Sequence, residues 1–202
     1  MNRTIAWLAV ATSLAVAAAG AKEATMTTLK GRKVLMVIAS QNFRDEEFTE
    51  PCELLKAAGA EVCVASSRKA PARGMLGKVV TPDRLLTEVR AADYDAVIFV
   101  GGTGAEEYFG NPTALQLAKE AAAAGKVVAA ICIAPAILAN AGVLQGKTAT
   151  CFPSVAEQLR KGGATLRKQG VVRDGRTITA DGPQSARAFA RELAAALEGS
   201  TT

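Results

Sequence analysis

A chain of 202 residues, half of them apolar but only 4% aromatic, has the length of one domain whose core must be filled by Ala, Val, Leu and Ile. Its net charge of +5 is mild and scattered, with Lys30, Arg32 and Lys33 the one tight basic cluster, so a basic nucleic-acid groove interleaved with aromatics finds no support. The absence of His excludes every Ser-His or Cys-His catalytic pair, and the four Cys, at 52, 63, 132 and 151, match no zinc spacing.

Residues 1–21 have the pattern of a secretory signal peptide: Arg3 in a short positive start, an apolar stretch over 5–19, and small residues at Ala19 and Ala21 for cleavage. A membrane anchor is the alternative, but the apolar run is shorter than a spanning helix needs. The expectation is an exported, periplasmic protein that begins near Lys22 and keeps no membrane attachment, with 22–32 a flexible tail and one domain over 33–198.

The rest alternates between short apolar runs and amphipathic segments. Residues 33–39 (KVLMVIA) predict a strand buried on both faces. Residues 46–58 predict a helix, with Phe48, Cys52 and Leu55 on one stripe and Gly59 as its stop. A second strand is expected over 61–65 (EVCVA). Pro71, Gly74, Gly77 and Pro82 make 66–82 a hairpin excursion. The third strand, 95–100 (DAVIFV), ends at Gly101-Gly102. Asn111-Pro112 reads as an N-cap followed by proline in the first helical position, opening a helix to about Ala124.

A fourth strand covers 126–131 (KVVAAI). A short helix over 135–141, a strand near Thr148, a helix over 155–161, a hairpin around Asp174-Gly175 and a last helix over 184–197 follow. Such alternation implies a three-layer α/β/α arrangement, helices covering both faces of a mostly parallel sheet, with the ligand crevice at the carboxyl ends of the strands.

Three features fall at those ends. Cys132 lies between a buried strand and a helix, with Ala130 and Ala134 two residues to either side, as a sharp nucleophile elbow requires. Its place at a helix N-terminus predicts a thiol with a lowered pKa, against the plainer reading of a small buried hydrophobe. Glu47 is the natural partner: a partly buried carboxyl beside sulfur would keep its proton, donate it to sulfur or shuttle it. Gly101-Gly102 is either an ordinary tight turn or a backbone donor that joins the N–H of Ile133 in an oxyanion hole. Cys52 and Cys63 are either a disulfide or two reduced core residues, and Cys151 is a candidate resolving thiol for Cys132.

Taken together, KVLMVIASQNFRDEEFTEP at 33–51, DAVIFVGGTGAEE at 95–107, AAICIAPAILANAGVLQGKTAT at 129–150 and ADGPQSARAFA at 180–190 resemble the DJ/PfpI superfamily. That group includes the Parkinson-disease-associated deglycase and the archaeal intracellular protease, with a fold like that of class I glutamine amidotransferases. The resemblance implies a single flavodoxin-like domain with Cys132 as the elbow nucleophile and Glu47 as its hydrogen-bonding acid. It further implies that Gly102 and Ile133 are backbone oxyanion donors, and that Glu106 matches an acid that reaches a catalytic His across a subunit interface. It implies a homodimer that needs neither cofactor nor metal. Two departures stand out: Ile133 occupies the protease branch's His position, and Cys151-Phe152-Pro153 lacks the His of the deglycase branch. A His-dependent peptidase is therefore not expected. Glyoxalase or deglycase chemistry on small reactive carbonyls is the implied activity, with an oxidation-sensing thiol or a non-catalytic binding module as the alternatives.

Overall fold

A computed structural model describes residues 28–198. The expected signal peptide, and the tail up to residue 27, lie outside the described residues. In chain order the elements are β1 (Lys33–Val37), β2 (Gln41–Phe43), α1 (Asp45–Ala57), β3 (Glu61–Ser66), β4 (Ala72–Gly74), β5 (Val79–Val80), β6 (Arg84–Leu85), β7 (Ala96–Phe99), α2 (Pro112–Ala123), β8 (Val127–Ile131), α3 (Pro135–Asn140), β9 (Thr148–Ala149), α4 (Ala156–Lys161), β10 (Thr165–Leu166), β11 (Val171–Asp174), β12 (Thr177–Ala180) and α5 (Ala186–Glu198). Short 3₁₀ turns, among them 103–108, link several of these.

The main sheet has seven strands in the order β11-β12-β8-β7-β1-β3-β6. All neighbours run parallel except β11 and β12, the hairpin predicted around Asp174-Gly175. The central strands β7, β8 and β12 are buried at every position, which is why they contain no charge. Helices α1 and α5 pack together, α1 on β3 and α5 on β8 and β12. Helix α2 packs on β7 and β8, and α3 on β8 and α4. From β1 the chain crosses through α1 to β3 on one side; from β7 it crosses through α2 to β8 on the other. Right-handed crossovers in opposite directions place α1 and α2 on opposite faces. The strand order reverses between β1 and β7, and a crevice opens at the carboxyl ends of strands there. The α/β class and the mostly parallel sheet are thus as the sequence implied.

The local signals for α2 hold in detail. Asn111 Oδ1 accepts from the N–H groups of Thr113 and Ala114, at 3.0 and 3.1 Å, and Pro112 opens the helix.

Several elements differ from the sequence reading. Residues 29–32 are not tail: Leu29 is fully buried and its N–H donates to Ala58 O at 2.6 Å, closing the chain entry onto the end of α1. The strand near Thr148 is β9, which pairs with β10 in a separate two-stranded sheet. The 66–82 excursion does form a hairpin, β4 with β5, and β2 joins it to make a third small sheet. Asp45 fixes this hairpin at the start of α1, accepting from Leu76 N at 2.9 Å and Lys78 N at 2.7 Å. Cys52 and Cys63 are both free, so the disulfide alternative does not stand. Cys63 lies beside the Tyr94 hydroxyl instead.

Candidate active site

Strand β8 ends at Ile131, and the next residue turns so sharply that Cys132 has a φ of 66°. For a residue with a Cβ this left-handed conformation costs about 1–3 kcal/mol and persists only where the surroundings enforce it. They do so from two sides. Cys132 N–H donates to Ala180 O at the end of β12 at 2.9 Å, and Phe152 N–H donates to Cys132 O at 2.8 Å. Ala130 and Ala134 are fully buried, which leaves no room for larger flanking side chains. The sulfur-bearing residue is 9% exposed.

Glu47 comes from the first turn of α1 and is completely buried. The turn after β7 lies between it and Cys132. A Cβ on Gly101 would collide with Glu47 Oε2, Cys132 Cβ and Ile131 O, so only glycine lets the carboxyl and the thiol share this space. Gly102, at φ 96°, has the strand-to-helix loop of β1–β2–α1 against it. A Cβ there would meet Arg44 N and Asn42 O, and Arg44 N–H donates to Gly101 O at 2.9 Å. The N–H groups of Gly102 and Ile133 both act on the Cys132 sulfur.

The electrostatics differ from the expectation for the thiol. Burial, and then the Glu47 charge, push Cys132 up to about 12; the Gly102 and Ile133 N–H groups pull it down but do not offset this. The helix behind the elbow is only six residues long and begins at Pro135, so its partial charge is a weak counterweight. Desolvation also raises Glu47, to about 7, against the lowering pull of the Cys132 thiol and the Arg44 guanidinium. Neither Glu47 oxygen has a partner at full hydrogen-bond geometry, though the thiol and the Gly101 N–H are near enough to bias its charge. The pair therefore releases its first proton near neutral pH, from the carboxyl, and keeps the second on sulfur. That makes Glu47 a base suited to accepting the thiol proton.

Of the accessory residues, Glu106 is exposed on the 103–108 turn and stays outside this group. Cys151 is half-buried and lines a neighbouring cavity to which Cys132 does not contribute.

Sequence reasoning missed two supports. Arg44 grips Glu46 with two hydrogen bonds, at 2.8 and 3.0 Å, beside the site. Glu107 accepts from Ser40 N at 2.9 Å and from the Ser40 and Ser67 hydroxyls. Tyr108 OH donates to Ile38 O and accepts from Ser67 N, both at 2.9 Å. Together Glu107 and Tyr108 latch the end of β1 to the end of β3. The only signal was a Glu-Tyr pair six residues after a strand-end glycine.

Comparison with known proteins identifies the family. The DJ-1/PfpI family model matches residues 32–196. An uncharacterized protein of Methanocaldococcus jannaschii is 43% identical over 95% of this chain and 93% of its own. A deglycase of Pyrococcus abyssi is 33% identical over 79% of this chain and 96% of its own. The crystal structure of a ThiJ/PfpI domain protein from Brachyspira murdochii superposes with a TM-score of 0.83 at 34% identity, covering 85% of this chain and 99% of that one. The chain belongs to the DJ-1/PfpI family.

Proposed function

We propose that this protein isomerises and hydrates small 2-oxoaldehydes without a cofactor, using Cys132 as nucleophile and Glu47 as the proton carrier. The observation that carries the reading is the buried carboxyl held against an elbow thiol, with two backbone N–H groups already directed at the sulfur. The deglycase name of the Pyrococcus abyssi relative supports an enzymatic reading. With no His in the chain, Glu47 is the one buried base that acts on the thiol among the described residues.

For methylglyoxal the steps balance as follows. Glu47 accepts the thiol proton while sulfur bonds to the aldehyde carbon. The carbonyl oxygen takes the charge, facing the Gly102 and Ile133 N–H groups, and is then protonated by Glu47 to give a hemithioacetal. Glu47 removes the hydrogen on that carbon as a proton and returns it to the adjacent carbon, while the hydroxyl proton passes from the first oxygen to the second through the enediol, leaving an enzyme thioester of lactate. Water cleaves the carbon–sulfur bond, releasing lactate and restoring the thiol. The sum is one methylglyoxal and one water to lactate and a proton.

The test is lactate formation from methylglyoxal by the protein and by Cys132→Ser. Turnover in the first and a loss of at least about 100-fold in the second are expected. Equal rates in both would sink the reading. A second reading is favoured by the same N–H groups: they would also hold the oxygens of a sulfinate, making Cys132 a peroxide-oxidised sensor. Its signature is a gain of two oxygens on Cys132 with no turnover in the reduced protein.

The reading includes export to the periplasm and a homodimer. Met75, Leu76 and Val79, exposed together on the β4–β5 hairpin, offer an apolar contact for a second copy. Among the described residues no helix is long and apolar enough to cross a membrane. A mature protein that begins near Lys22 and scatters light as a dimer is expected. A full-length monomer would count against both parts.

A further inference from the structure

A cavity of about 680 Å³ lies beside the elbow. Its lining includes Cys151, Phe152, Arg160, Arg167, Lys168 and Asp181. Three of these are cations and one is a carboxylate. Arg167 and Lys168 form no ion pair among the described residues, and Arg160 holds only an exposed Glu157 at 3.4 Å. Asp181 is already engaged, accepting from Ser185 Oγ at 2.6 Å. Like charges gathered around one concavity repel, and Asp181 sets one negative charge against the three. An anion would offset the rest.

The gathering is built in by the fold. Strand β10 pairs with β9, and Arg167 N–H donates to Ala149 O at 2.9 Å. The residues leaving β10 are thereby held opposite the residues leaving β9, which are Thr150, Cys151 and Phe152. Phe152 belongs to both places at once. It lines the cavity, and its N–H is bonded to Cys132 O. Phe152 thus ties the cavity lining to the backbone of the elbow.

We infer that this cavity is an anion-binding subsite that takes the phosphate or carboxylate end of an acidic 2-oxoaldehyde while its aldehyde carbon meets Cys132. The substrate assignment rests on the reading under Proposed function; the anion site does not. Arg167 and Lys168 supply the charge, and Phe152 lines the cavity where it meets the elbow backbone.

Cys151 gives a readout that is independent of turnover. Inorganic phosphate, against chloride at matched ionic strength, should slow iodoacetamide labelling of Cys151 severalfold. Labelling of Cys63, on the remote β3, is the internal reference in the same digest. The Arg167→Gln/Lys168→Gln protein should lose that protection. Kinetically, the double variant should cut kcat/KM for the phosphate ester of hydroxypyruvaldehyde about tenfold more than for methylglyoxal, the worth of one charged hydrogen bond. No protection of Cys151, or protection that survives the double substitution, overturns the subsite. An equal fall for both substrates overturns its role in holding substrate. Protection without turnover of any aldehyde leaves the anion site standing and refutes the catalytic reading instead.

Discussion

Gly101→Ala is expected to lower stability by about 3 kcal/mol and to abolish whatever Cys132 and Glu47 do together. Overpacking is usually relieved by a flexible neighbour, and none is available here. The new methyl would meet Ile131 O, which is backbone of the central strand β8, and Cys132 Cβ, which is held at a positive φ. The third neighbour is the Glu47 carboxyl, fully buried at the base of α1. Any relief must move the elbow or the acid. Thermal unfolding should fall by roughly 6–12 °C for a domain of this size. Gly110 is the control: it has open space around it and no positive φ, so Gly110→Ala should melt within about 2 °C of the parent. Equal melting of the two variants would mean that Gly101 is an ordinary turn residue, the alternative its sequence left open.

The glycine pair shows where sequence reasoning reaches and where it stops. Strand ends could be read locally, because a strand buried on both faces must be apolar throughout, as at 34–39 and 127–131. The elbow could be read for a similar reason: Ala130 and Ala134 flank Cys132 because the turn admits nothing larger. Asn111-Pro112 specified its own cap. What joins distant segments left almost no trace. The Glu107–Ser40 and Glu107–Ser67 bonds span 67 and 40 residues, and a glutamate on a polar turn looks like any surface acid. Two-residue strands such as β6 and β10 carry no period to detect. Polar neighbours make Leu29 read as part of a tail, yet one apolar side chain suffices to pin that segment to α1.

The thiol was misjudged for a different reason. Position at a helix start gives the sign of one interaction. The outcome depends on competing magnitudes: a sulfur that is almost entirely buried, beside a carboxyl that is completely so. Burial wins for both groups, and both are raised. The consequence for mechanism is that the thiolate need not stand free at neutral pH. Glu47 in its basic form takes the proton as sulfur attacks.

The same carboxyl makes stability depend on pH, and Glu47→Gln isolates it. The side chain's ordinary value is 4.5 and its folded value about 7. Between these the folded protein keeps a proton that the unfolded chain has released. The resulting stability is complete below pH 4.5 and is lost as pH rises through 7, a change of roughly 3 kcal/mol. Glutamine has the shape of the protonated acid and cannot ionise. The variant should match the parent at pH 4.5 and exceed it at pH 8, by up to roughly 6–12 °C in unfolding temperature. Its turnover should fall by at least about 100-fold at every pH, because no base remains beside the thiol. A variant that is more stable yet inactive would show that the fold bears the cost of burying Glu47 for the sake of its proton. Parallel melting of parent and variant from pH 4.5 to 8 would place the Glu47 charge in water, and with it the base on which the mechanism depends.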